Sequence, residues 1–305
     1  MILTLRLAVL WAATAAALLG WSEFIFVNEG PVRSILDAGW AVHTLGLWAF
    51  YLIPAAALLA LWRLRWPATW WQAVVAGCLV GWIIEGAMVP AVYEAAPLSF
   101  VWTSMAWHAP VDVMLGLWLL PRLMDRDVSA WALALTLSAC GVAVGIWALW
   151  TVGNAQDALN MTAWAYGSVL LLGISGAVIG AIAWAAWGHE VARLPKSLTW
   201  AALAACSALF VMQGLIAPFW LTALCILAAL TFWAHMRQEN RKPISTEMVP
   251  IRAVWFTLFG VAALLAYRLG TFVLLDLDTE IITFFGFLLG SLIAGIAILR
   301  GFISR

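Results

Sequence analysis

Long apolar runs dominate the chain, broken by short clusters of polar and turn-forming residues. Runs long enough to cross a bilayer, about 20 residues, fall near 4–27, 38–62, 71–93, 99–121, 129–153, 160–187, 198–216, 218–236, 251–275 and 280–301. The pattern predicts an all-α, polytopic integral membrane helix bundle of about ten transmembrane helices. Pro218 is the only punctuation between the seventh and eighth runs. No connecting segment is long enough to hold a soluble domain. Residues 1–305 therefore read as a single transmembrane domain. Polar-site helices occupy about 4–121 and apolar scaffold helices about 129–236, followed by a cytoplasmic linker at 237–250 and two last helices over about 251–301.

Charge orients this bundle. Thirteen of the fifteen Lys and Arg residues lie before the first run, after the last, or at the even-numbered loops, as do Arg63, Arg65, Arg122, Arg193 and Lys196. The odd-numbered loops hold only Arg33, and Arg268 falls inside the ninth run. Glu29, Asp37, Glu94, Asp157, Asp276, Asp278 and Glu280 show the opposite bias. Basic loops stay on the cytoplasmic side, so both termini are expected there, in the inner (plasma) membrane of a bacterium. Residues 7–20 imitate a signal-peptide core. The apolar run continues past Trp21 behind a single Arg, so a retained first helix is expected.

Composition removes the soluble alternatives. The chain is 66% hydrophobic and 10% charged, with a mean hydropathy of +1.01, which leaves the bilayer as its main partner. Cys78, Cys140, Cys206 and Cys225 stand singly within runs and read as small core residues. Many of the 22 tryptophans, including Trp62, Trp66, Trp70, Trp71, Trp184 and Trp187, sit at run ends, as in an interfacial aromatic belt. Gly141-x3-Gly145, Gly176-x3-Gly180 and Gly286-x3-Gly290 supply faces for close helix packing. No nucleotide loop, dinucleotide-binding glycine pattern or nucleic-acid patch is present.

The ionisable side chains inside the runs are concentrated. Glu23, His43, Glu85, His108 and Asp112 all fall in the first four runs, most of them in the non-cytoplasmic half. Buried ionisable groups in a membrane are costly and mark working sites. Ser104, His108 and Asp112 are spaced i, i+4, i+8, one face of a continuous helix, and Pro110 should kink that helix beside His108. Glu85 and His108 lie at similar depth on runs joined by a short loop, so contact between them is expected. Ser104, Glu85, His108 and Asp112 are thus the candidate catalytic residues. Glu23, Asn28, His43, Glu94, Trp102 and Trp107 are candidate cavity residues, with Tyr93 at the same mouth. Arg268 is a candidate counter-charge to Glu85 or Asp112, or else a side chain reaching back toward Asp276 and Asp278.

Three carboxylates and two imidazoles form a mixed N/O ligand set that suits a divalent metal, Zn, Fe or Mn, better than Cu(I). Glu85, His108 and Asp112 are its candidate ligands. Such an ion would activate water against a lipid-like or small-molecule ligand. There is no HExxH and no His-rich box. Glu23, Asn28, Ser104, His108 and Asp112 together resemble the pattern of the alkaline ceramidase and progestin-receptor-like superfamily of seven-helix hydrolases. That resemblance implies zinc-dependent hydrolysis and a late His-x3-His pair, which this chain does not contain; His189 and His235 lie at cytoplasmic ends. In gross plan, ten helices with both ends inside, the chain is similar to the drug/metabolite transporter superfamily, which implies two inverted five-helix repeats.

Three functional readings follow. The first is a buried Glu/His/Asp site in the first four helices, open to the non-cytoplasmic side, that performs metal- or acid/base-assisted chemistry on a lipid-like or small ligand or binds it. The second is a proton- or cation-coupled small-molecule transporter, disfavoured by a cytoplasmic half that reads as sealed by apolar side chains. The third is a membrane assembly or accessory subunit.

Overall fold

A computed structural model describes residues 2–28, 30–33, 40–125, 127–152, 161–239, 250–273 and 280–303. Most of the linker expected at 237–250 lies outside the described residues, as do Glu29, Asp37, Asp157, Asp276 and Asp278. The described chain is helical throughout and has no strands. A membrane interior offers backbone groups no water, so helices that satisfy their own hydrogen bonds are the economical solution.

Ten long helices follow one another: α1 Ile2–Leu19, α2 Trp40–Leu64, α3 Trp70–Ile83, α4 Ser104–Leu119, α5 Ala130–Trp147, α6 Ala163–Trp187, α7 Lys196–Gly214, α8 Pro218–Arg237, α9 Phe256–Val273 and α10 Glu280–Ile303. Among the described residues, nine helices are long and apolar enough to cross a membrane. The run expected at 99–121 becomes α4, which is not one of the nine; it carries His108 and Asp112 and lies in the middle of the bundle, enclosed by α1, α3 and α10. Pro218 does separate two helices, because it occupies the first position of α8, where a missing N–H costs nothing.

Packing pairs α5 with α9, α1 with α2 and α6, and α3 with α4 and α10. Two glycines set how closely α4 can be approached. A Cβ on Gly81 of α3 would lie 2.0 Å from the Ser104 carbonyl oxygen, and one on Gly290 of α10 would lie 1.9 Å from that of Ala106. No other residue permits such contact. The Ala106 carbonyl is the one that Pro110, lacking an N–H, cannot serve in an α-helix.

The two ends of the bundle differ in charge. Arg63 donates through Nε to the Leu194 carbonyl, Arg65 to that of Met236, and Arg122 through Nη2 to that of Pro67. Arg252 donates to the carbonyls of Leu123 and Asp125, and Arg6 pairs with Glu190. These contacts gather the arginines at one end. Trp62, Trp66 and Trp184, expected in an interfacial belt, are buried there instead and pack edge-on, with Trp62 and Trp184 ring centroids 4.6 Å apart. Stacked indoles hide more apolar area against each other than each would alone.

Candidate functional site

Three stretches of the described chain wind as π-helix, with hydrogen bonds closing over five residues: Gly20–Ile25, Ile84–Met88 and Ser104–Leu119. The first carries Ser22 and Glu23, the second Glu85, and the third His108 and Asp112. Such winding is rare and is found mostly at functional sites, because the widened turn re-aims side chains. In α4 the winding runs through Pro110, where a kink was expected. Two non-glycine residues with positive φ flank the same region, Val27 (φ 62) and Thr103 (φ 57). Both are β-branched, so each is strained.

The side chains of these stretches meet. His108 Nδ1 lies 2.7 Å from Asp112 Oδ2, and His108 Nε2 lies 3.0 Å from Glu85 Oε1. The Ser22 hydroxyl donates to the same Asp112 oxygen at 2.6 Å and sits 3.0 Å from His108 Nδ1. Thr103, at the strained entry to α4, donates to Glu85 Oε1 at 2.8 Å. Behind this row, the Tyr51 hydroxyl of α2 donates to Glu23 Oε1. Ser22, Glu23, Tyr51, His108 and Asp112 are all buried, and Glu85 is partly exposed.

A cavity of about 410 Å³ opens over the cluster. Glu23, Glu85 and His108 line its floor, and Asn28, Glu94 and Ser99 line its mouth. One wall is aromatic: Phe26 and Trp107 ring centroids lie 4.5 Å apart, Trp107 packs on Trp147 at 5.1 Å, and Trp102 stands 6.3 Å from Phe26. The Glu23 Oε2 and Trp107 Nε1 atoms are buried and make no hydrogen bond.

Of the residues expected from the sequence, Glu23, Asn28, Glu85, Glu94, Trp102, Trp107 and His108 surround this one cavity, and Asp112 lies directly behind it. Three others stand elsewhere. Ser104 is fully buried, but its hydroxyl turns to the Ser99 carbonyl at 3.5 Å and not to His108. His43 is exposed on α2. Arg268 is exposed on α9 and forms no ion pair with Glu85 or Asp112, so it is not their counter-charge. Tyr93 is buried and donates to the Phe210 carbonyl at 3.2 Å. Ser22, Tyr51 and Thr103 complete the cluster without having been singled out. Ser22 stood beside Glu23, a position that on an α-helix points away from it; only the wider turn brings both inward.

The metal expected on Glu85, His108 and Asp112 does not fit this geometry. The two carboxylates engage opposite nitrogens of a single imidazole, so the three groups diverge from any common point. No group of three or more His, Cys, Asp or Glu side chains able to hold a metal occurs among the described residues. The arrangement is also not a nucleophilic triad. Ser22 and Asp112 share one nitrogen, and Ser22 gives its proton to Asp112 rather than to the imidazole. It is a carboxylate–imidazole–carboxylate row. An imidazole nitrogen and a carboxylate oxygen at such distances share a hydrogen, so two hydrogens lie over the three groups.

Comparison with family models, curated proteins and solved structures returned no match. The function therefore rests on the geometry of the site.

Proposed function

We propose that this chain is an inner-membrane protein whose Asp112–His108–Glu85 row exchanges protons with a small ligand admitted to the cavity from the non-cytoplasmic side. The observation that carries this reading is the placement of His108: its Nε2 edge and Glu85 stand in the cavity wall, while its Nδ1 edge is held from behind by Asp112 and Ser22. Asp112 orients the ring, leaving Nε2 and Glu85 Oε1 to take and return a proton within hydrogen-bond reach of a ligand. Orientation in the membrane follows from charge. The arginine-rich end is cytoplasmic, with both termini on that side, and the cavity opens at the other end.

A proton- or cation-coupled carrier is the second reading, and one observation favours it. A further cavity of about 290 Å³ lies at the arginine-rich end, with Leu117 of α4, Arg122 and Asp125 in its wall. α4 runs between the two cavities, with His108 at one and Leu117 at the other.

Infrared difference spectroscopy across a pH jump, on protein in lipid, tests the proton-exchange reading. A carboxyl band that responds to pH, loses a component in Glu85→Gln and shifts in His108→Gln is the expected result. Difference spectra identical in wild type and both variants would overturn it. Labelling Glu94→Cys from the cytoplasmic side alone would overturn the orientation.

A further inference from the structure

The proposed pocket has a composition that selects its ligand by charge. Three carboxylates, Glu23, Glu85 and Glu94, line it, and His108 is the only residue among its lining that can carry positive charge. Each His108 nitrogen already faces a carboxylate, so the imidazole presents no unpaired cation to the cavity. Glu23 adds a further carboxylate. Tyr51 donates to one of its oxygens and the Asn28 side chain also bonds the carboxylate, so it is held in the wall and acts on the cavity through its charge.

The remaining wall decides what kind of cation. Phe26, Trp102 and Trp107 form a contiguous aromatic face with ring centroids 4.5 Å to 6.3 Å apart. Aromatic faces attract ammonium groups within about 6 Å, and the attraction grows when both partners are desolvated. A bare metal ion gains little from indole faces and needs converging oxygens, which these carboxylates do not provide. The volume, about 410 Å³, lies at the small end of the range for organic ligands, about 300–1,000 Å³.

Resting on the reading of the cavity as a ligand pocket, we infer that it binds a small organic cation, an amine in its ammonium form. The ammonium sits against the Phe26, Trp102 and Trp107 faces, and the carboxylates of Glu85 and Glu23 in the same wall are its counter-charge.

Isothermal titration calorimetry on the full chain in detergent tests this with three size-matched probes: benzyltrimethylammonium, benzyl alcohol and phenylacetate. The expected result is binding of the cation, with the neutral probe and the anion weaker by about tenfold or more. Glu23→Gln and Trp102→Ala should each weaken the cation by about tenfold. Glu94→Gln, at the exposed mouth and harmless to folding, should weaken it by a smaller factor. Equal binding of all three probes, no cation binding by folded protein, or full competition by sodium would overturn the inference. Cation binding with an unresponsive carboxyl band would sink the proton-exchange reading and leave this one standing. A responsive band without cation binding would do the reverse.

Discussion

Two carboxylate clusters are buried at opposite ends of the bundle, and they differ in what holds them. At the arginine-rich end Glu190 is fully buried and takes Arg6 at 2.9 Å and Arg193 at 2.7 Å. In the cavity, Asp112 and Glu85 share one imidazole at 2.7 and 3.0 Å. A guanidinium is permanently charged, so Glu190 is pinned as a carboxylate and ties α1 to the end of α6. An imidazole can give up or accept a proton on either nitrogen, so the same acid chemistry beside His108 becomes mobile. The surroundings follow the same division. Glu190 sits in the short 3-10 turn Gly188–Arg193 that follows α6, whereas every member of the His108 row comes from a π-wound stretch.

That contrast can be broken at either end. The largest effect should come from removing both guanidiniums, Arg6→Ala with Arg193→Ala, which leaves the buried Glu190 with His189 alone, 3.6 Å away. The expected loss is about 2–3 kcal/mol in a thermal melt, below the ~3–5 of a fully buried pair because both arginines are partly exposed. The carboxyl infrared band should not change. Next is Gly81→Ala, whose Cβ would drive against the Ser104 carbonyl at 2.0 Å. It should cost about 2 kcal/mol through overpacking and, by moving α3 off α4, separate Glu85 from His108 and alter that band. A band identical to wild type would mean that the glycine contact does not set the Glu85–His108 distance.

Ser22→Ala removes the 2.6 Å donor to Asp112. A loss of about 1.5 kcal/mol is expected, together with an altered infrared signature, since Asp112 then depends on His108 alone. Retention of both stability and spectrum would exclude Ser22 from the row. The smallest effect belongs to Arg268→Ala. Exposed on α9, it should change stability by less than about 0.5 kcal/mol and leave cation binding intact. A large loss in either measurement would return Arg268 to the site.

Several parts of the site were legible in the residues. Glu85 and His108 were expected at equal depth on neighbouring helices, and they lie 3.0 Å apart. The aromatic pair Trp102 and Trp107 was expected beside the acids and forms the cavity wall with Phe26. Ser104 turns to Ser99 while Ser22, from another helix, takes the place beside Asp112; spacing along one helix does not reveal which hydroxyl a neighbouring helix will supply. His43 and Arg268 misled because depth along a helix says nothing about which side of it faces the bundle. In water a polar stripe marks the outward face of a helix; where lipid and core are both apolar, no such stripe is written into the residues.

The sequence by itself determined that this is an all-helical chain of long apolar helices, where most of them lie, and that its acids and histidines cluster in the first four runs. These are consequences of composition and of the bilayer's thickness, which act locally on every stretch of chain. Only the tertiary structure decided that α4 lies enclosed among α1, α3 and α10, that two carboxylates engage opposite edges of His108 instead of converging on a metal, and that a cavity holding three acids and an aromatic wall opens above them. Those outcomes depend on how closely helices distant in sequence approach and how their turns are wound. Both are set by contacts such as Gly81 against Ser104 and Gly290 against Ala106, which exist only once the helices have packed.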